Sequence, residues 1–195
     1  MFGGYPARPA VNQLEVRRHG RRKNGPGSQL SQEGVEQARA LGSTMGLFAR
    51  VVTSVVPRSR ETAIAMGFAV DYELVTLSQD ASAFREHQES RWWESDEPFA
   101  ALAELVARGG PAARGAHALA GLWRDIVMDI PPATAALFIG HSGELEQALV
   151  ACFPNADHAA WGRTFDALDG ARLTFDGDPP CFTEVEILRF TTESP

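Results

Sequence analysis

From residue 12 onward, short apolar runs trade places with longer stretches whose apolar residues recur at helical spacing, and this alternation constrains the fold more than any other feature. Asn12 to Arg18 sets Leu14 and Val16 between polar neighbours, the period of a half-buried strand. Ser31 to Phe48 carries Val35, Ala38, Leu41, Met45 and Phe48 near helical spacing, behind a serine suited to cap a helix. Arg50 to Val56 is β-branched and predicts a buried strand. Pro57 then suits the first position of a helix running to about Phe68, before a short strand over Tyr72 to Thr76. Residues 78–98 are polar and aromatic, with Trp92 and Trp93, and are expected to form a long loop or lid. Helices are expected over Pro98 to Arg108 and Ala112 to Met128, a strand over Ala133 to Gly140, and a helix from Gly143 to Phe153. The last strands, Ala171 to Phe175 and Phe182 to Phe190, flank the turn-forming run Asp176-Gly-Asp-Pro-Pro. Strands alternating with helices predict an α/β fold: a three-layer α/β/α sandwich with a mainly parallel central sheet, closed by a C-terminal antiparallel hairpin.

The 195 residues fit one domain over 1–195, with a loose lead-in over 1–11 and a lid and helical insert over 78–130. A hydrophobic fraction of 44% beside 22% charged residues excludes global disorder. No apolar run approaches the roughly 18 residues of a membrane helix, and Met1 to Ala10 lacks the apolar centre of a secretion signal. Cys152 and Cys181 do not make a disulfide framework, and Cys152 reads as a small core residue. A cytoplasmic location without membrane partners is the expectation. The net charge of −7 argues against a nucleic-acid partner. Against that acidic background, Arg17, Arg18, His19, Arg21, Arg22 and Lys23 form one cationic cluster, which suggests a local anion site.

Open α/β sheets bind ligands at the carboxyl ends of their strands. Three predicted strand ends carry unusual polar residues: Arg18-His19-Gly20, Pro57-Arg58-Ser59-Arg60-Glu61-Thr62, and Gly140-His141-Ser142-Gly143. Two histidines and at least two arginines would meet at one sheet edge, a composition suited to phosphoryl transfer without a metal or other cofactor. Phosphate monoesters carry close to two negative charges at neutral pH, since their second pKa is about 6. Guanidinium pairs with phosphate oxygens and keeps its proton. Arginines beside a histidine also favour its neutral form, which a nucleophilic imidazole requires. His19 is then the expected nucleophile, forming a phosphohistidine that water hydrolyses. Arg18, Arg58 and His141 are expected to hold the phosphoryl oxygens. A carboxylic acid is still needed to protonate the leaving alkoxide and then activate water.

At these residues a family resemblance enters. Leu14-Glu-Val-Arg-Arg-His-Gly resembles the strand and Arg-His-Gly signature of the histidine phosphatase (phosphoglycerate mutase-like) superfamily. Leu30-Ser-Gln-Glu-Gly-Val-Glu-Gln-Ala is similar to the opening of that family's first helix. Ser54-Val-Val-Pro-Arg58-Ser-Arg-Glu-Thr-Ala resembles its arginine segment, making Arg58 rather than Arg60 the match. Ile139-Gly-His141-Ser-Gly matches its second-histidine strand end, so the likeness spans residues 12–68 and 133–153 in order.

The resemblance implies a phosphoglycerate mutase-like fold and an acid in a Leu-x-Glu…Trp-Glu context. Phe84-Arg85-Glu86, followed by Trp92, Trp93 and Glu94, resembles that stretch and makes Glu86 the expected acid, with Glu89, Glu94 and Glu144 as alternatives. Ser142 stands where the acid-phosphatase branch has an aspartate. Arg22 matches that branch's second arginine and is expected to add a substrate contact. The short loop between His19 and Leu30 and the modest length favour phosphatase over mutase. The implied partner is a small phosphorylated substrate, with phosphate or sulfate able to occupy the site.

Two other readings use the same residues. A silent phospho-ligand binder would keep the pocket and lack the acid. A serine hydrolase would use Ser142 in Gly140-His-Ser-Gly-Glu144, which resembles a nucleophile elbow. His158 is the only histidine after Ser142, and it follows too closely to come after another strand. His87, His117 and His158 have no partners at metal-ligand spacing and are expected to be structural or exposed.

Overall fold

The computed structural model describes residues 11–25, 28–75 and 81–191. Its strands are β1 (Asn12–Arg18), β2 (Arg50–Ser54), β3 (Tyr72–Leu74), β4 (Ala135–Gly140), β5 (Gly170–Asp176) and β6 (Cys181–Leu188). Its helices are α1 (Gln32–Gly42), α2 (Pro57–Ala65), α3 (Ala81–Ser90), α4 (Pro98–Ala107), α5 (Pro111–Met128) and α6 (Glu144–Cys152). The strands form one six-stranded sheet in the order β3-β2-β4-β1-β5-β6. β1 pairs parallel to β4, and β2 pairs parallel to both β3 and β4. β5 runs antiparallel to β1 and forms an antiparallel hairpin with β6. The sheet is therefore mainly parallel with an antiparallel closing edge, the expected α/β architecture.

Side-chain alternation along the strands builds two cores. Leu14, Val16, Ala136 and Phe138 face a large cluster with Phe99, Leu102, Leu119 and Trp123 of α4 and α5 and Leu145 and Leu149 of α6. Leu137 and Ile139 face the other way, onto Ala38 of α1 and Ala63 of α2. Helices on both sheet faces remove the strands' apolar side chains from water, which is why central β4 reads as a near-continuous apolar run.

Three expectations need correction. The first helix ends at Gly42 rather than Phe48, although Met45 and Phe48 still pack against the smaller core. Their spacing is satisfied by a turn, because burial constrains where side chains go and not the backbone path between them. Residues 81–90 are a helix rather than a loop, and Trp92–Glu94 adds a short 3-10 turn. Only Ala83 of α3 is buried, so the helix had no apolar period to reveal it. The second helix stops at Ala65. The lead-in expected over 1–11 lies outside the described residues except for Val11, as do residues 78–80 and Thr76.

Candidate functional site

The parallel register decides which side chains can meet. Arg18 lies opposite Gly140, and the His19 N–H donates to the Gly140 carbonyl at 3.0 Å. His19 and His141 thus leave adjacent strand ends together, their ring centroids 5.1 Å apart. Thr53 pairs with Ile139, which brings the end of β2 alongside. Pro57 then starts α2 with its fixed φ, and Arg58 projects from that first turn.

Arg58 joins the two imidazoles. Its Nε donates to His19 Nε2 at 2.7 Å, and its Nη2 donates to His141 Nδ1 at 3.1 Å. Guanidinium has no acceptor, so both ring nitrogens present lone pairs and the tautomers follow. His19 carries its proton on Nδ1, donated to the Gly20 carbonyl at 2.7 Å. His141 carries its proton on Nε2, donated to Ser54 Oγ at 2.7 Å. Burial, opposed by the Gly20 bond and reinforced by Arg58, His141 and Arg18, lowers the His19 pKa to about 3. Burial, then Arg58 and Arg18, lowers that of His141 to about 4. Both rings are neutral at pH 7. Burial and the charges of Arg22 and Arg18 lower the pKa of Arg58, while Glu144 raises it.

A second layer fixes this arrangement. Thr62 Oγ1 donates to the Arg58 carbonyl at 2.7 Å and accepts from the Gly20 N–H at 2.9 Å. Glu146 is fully buried; its carboxylate accepts from Ser142 Oγ at 2.8 Å, the Gly143 N–H at 2.6 Å and the Phe165 N–H at 2.9 Å. The Phe165 carbonyl in turn accepts from Arg18 Nη1 at 2.5 Å. One carboxylate therefore ties the turn after His141 to the segment that holds Arg18. Gly143 makes that turn with φ of +87°, a value that favours glycine.

Two cavities share this edge. One, of about 700 Å³, is lined by Arg18, His19, Arg21, Arg22, Arg58 and Asp166 among others. The other, of about 400 Å³, is lined chiefly by Phe84, Trp92, Trp93, His87 and Glu144. Neutral imidazoles whose lone pairs accept only from Arg58, beside the arginines of this cavity, can bind a tetrahedral dianion and, once Arg58 turns to it, attack its centre. The sequence model for the histidine phosphatase superfamily (branch 1) matches residues 13–120, from β1 into α5.

The chain belongs to the histidine phosphatase superfamily. No curated protein matches it by sequence. Among solved structures, a mycobacterial glucosyl-3-phosphoglycerate phosphatase superposes with a TM-score of 0.63 at 15% identity, covering 91% of this chain and 98% of that one. A complex of such a phosphatase with inorganic phosphate gives 0.52 at 17% identity, covering 90% and 94%. A phosphoglycerate mutase from Bacillus anthracis gives 0.57 at 15% identity, covering 92% and 93%. These likenesses establish the phosphoglycerate mutase-like fold.

Within this superfamily member, the site residues expected from sequence separate into two groups. His19, Arg18, Arg58 and His141 come together, and Arg22 lines the same cavity. Glu86 does not join them: its Oε2 accepts from the Ala112 N–H at 2.7 Å, capping α5, and it lines neither cavity. Glu89 is exposed, and Glu94 pairs with Arg91 at 2.6 Å. Glu144, 5% exposed at the start of α6, lines the aromatic cavity and acts on the charge of Arg58. The basic run is also divided, since Arg17 is buried against Glu15 at 2.7 Å on the other side of β1, and Arg60 pairs with Glu73 at 3.0 Å.

Ser142 donates to Glu146, and His158 bonds the Phe153 carbonyl at 3.0 Å, so the serine-hydrolase arrangement is not formed. His87, expected to be structural or exposed, lines the aromatic cavity. Sequence reasoning gave no role to Ser54, Thr62 or Glu146. Glu146 alone had a signal, three residues after the helix-capping Gly143. Among the described residues, no group of three or more His, Cys, Asp or Glu side chains is arranged to hold a metal ion, and no helix is long and apolar enough to cross a membrane.

Proposed function

We propose that this protein is a phosphatase that hydrolyses phosphate monoesters through a phosphohistidine on His19, without a metal ion. The observation that carries the reading is the single guanidinium of Arg58 bonded to the free lone pairs of both His19 and His141. A phosphoryl group entering the cavity gives Arg58 better acceptors, and its Nε turns from His19 Nε2 to a phosphoryl oxygen. The released Nε2 lone pair then attacks phosphorus in line with the ester oxygen. Nδ1–H stays on the Gly20 carbonyl, which orients the ring and supports positive charge on it. Arg18 and Arg22 neutralise the equatorial oxygens. The inorganic phosphate bound by a glucosyl-3-phosphoglycerate phosphatase of this fold supports an anion in this place.

As the P–O bond breaks, the alkoxide takes a proton from Glu144, which lines the aromatic cavity and is near enough to Arg58 to act on its charge. Water enters, Glu144 removes its proton, and hydroxide displaces phosphate from Nε2. His19 returns neutral and Glu144 returns protonated. Glu86, bonded to the α5 backbone, is not assigned this role.

Rapid-quench trapping with a ³²P-labelled ester tests the chemistry. An acid-labile, base-stable protein phosphate is expected in wild type and none in His19→Ala, with turnover unchanged by chelators. Phosphate binding without turnover would instead establish the silent binder, and loss of activity to chelators would refute the metal-free step.

A further inference from the structure

We infer that the aromatic cavity seats an apolar leaving group, so that this site selects phosphate monoesters of alkyl or aryl alcohols over those of sugars. The inference rests on the phosphoryl chemistry proposed at His19 and adds the identity of the other half of the substrate. The two cavities flank the same backbone. Ser142 to Glu144 follow His141 directly and line the aromatic cavity, and Thr164 lines it two residues before Asp166, which lines the cationic one. A phosphoryl group at His19 therefore leaves its ester oxygen pointing past Glu144 into a chamber of about 400 Å³. That volume suits a ring or a chain of several carbons.

Several of the chamber's polar groups are already bonded within the protein. Trp92 Nε1 donates to His87 Nδ1 at 3.0 Å, which leaves Nε2 as that ring's protonated nitrogen. His87 Nε2 donates to Gln147 Oε1 at 2.8 Å, and Ser142 donates to Glu146. With these bonds made, the wall has fewer groups left to pair with the several hydroxyls of a sugar, and burying unpaired hydroxyls is unfavourable. The faces of Phe84, Trp92 and Trp93 offer apolar area instead.

Calorimetric binding of n-alkylphosphonates from methyl to hexyl to the full chain tests this, paired with phosphate release from the corresponding alkyl phosphates. Affinity is expected to tighten roughly two- to fourfold per methylene as the chain fills the chamber. Phe84→Ala and Trp93→Ala, at side chains 59% and 37% exposed, should flatten that slope without disturbing the core. A flat wild-type series, a slope that survives both substitutions, or equal binding of a polyhydroxylated phosphonate would overturn the inference. Chain-length-dependent binding without phosphate release would support the chamber while refuting the phosphatase reading. Release at rates independent of chain length would do the reverse, and failure of every phosphonate to bind would overturn both.

Discussion

The cationic cavity and the aromatic cavity lie on either side of the same two loops, yet they are built on opposite principles. The first is made of strand ends and one helix start, positions that the sheet's hydrogen bonds fix to within a register. Its central side chains are charged or titratable, and His19, His141, Arg58 and Arg18 are held by a backbone group or by another member of the cluster. The second is walled by α3, which packs on α5 with Ala83 as its one buried residue, and by the 3-10 turn, which packs on α4. Phe84 and Trp93 stay largely open to water there. The difference teaches a division of labour: rigid strand ends suit bond making, which tolerates little misplacement, and a loosely seated helix suits a wall that sets what the bond is made to.

That division is broken most directly at His19. His19→Ala removes the nucleophile and leaves Arg58, Arg18 and His141 to bind phosphate. kcat is expected to fall by about 10⁴-fold or more, while phosphate affinity, measured by calorimetry, changes far less. Equal losses of both would mean that His19 binds rather than attacks.

Glu144 lines the aromatic cavity on the side of Arg58, and Glu144→Gln should lower kcat on alkyl phosphates by about 10²- to 10⁴-fold. On p-nitrophenyl phosphate, whose leaving group needs no proton, the loss in the first step should be much smaller. An equal loss of kcat/KM, which reports the first step, on both esters would reduce Glu144 to an electrostatic neighbour of Arg58. Steady-state kinetics on the two esters decide between these outcomes.

The contrast between the regions also explains what was legible in the sequence. His19, Arg58 and His141 were readable because each follows an apolar strand and strand ends converge in a parallel sheet. The central strands β2 and β4 were readable because burial on both faces favours β-branched and apolar runs, and the half-exposed hairpin because a Gly/Pro-rich turn separates its strands. α3 was not, because a helix with one buried alanine has a composition indistinguishable from a polar loop. Glu86 fitted a motif, but a motif in sequence does not say which way a helix presents its side chains. Here that helix turns Glu86 onto the start of α5. Glu146 was missed because a carboxylate in the first turn of a helix is usually a solvated cap, and only the tertiary fold buries it beneath Phe165.

The protonation of the cationic cavity gives a third test. His19 and His141 have folded pKa values of about 3 and about 4, below their ordinary 6.5. The unfolded chain therefore binds these protons first as pH falls. Stability is fully present above about pH 6.5 and is lost towards the folded values, at up to about 1.4 kcal/mol per pH unit for each ring. Urea unfolding of wild type and His19→Ala between pH 7 and pH 5 measures it. The variant should lose less stability on acidification, and parallel curves would mean that His19 titrates normally.

The smallest effect belongs to the other region and tests Glu86, the carboxylate first expected as the acid, against Glu144. Glu86→Gln weakens the bond to the Ala112 N–H and the charge at the start of α5, which has no side-chain cap of its own. A loss of about 1 kcal/mol is the expectation for such a capping interaction. Because α3 carries Phe84 two residues earlier, a loosened α3 should raise KM for long alkyl phosphates while kcat on p-nitrophenyl phosphate stays within about twofold. A large fall in kcat instead would mean that Glu86 leaves α5 during turnover and reaches the ester oxygen, which would return the acid to α3 and make the aromatic wall part of the chemistry.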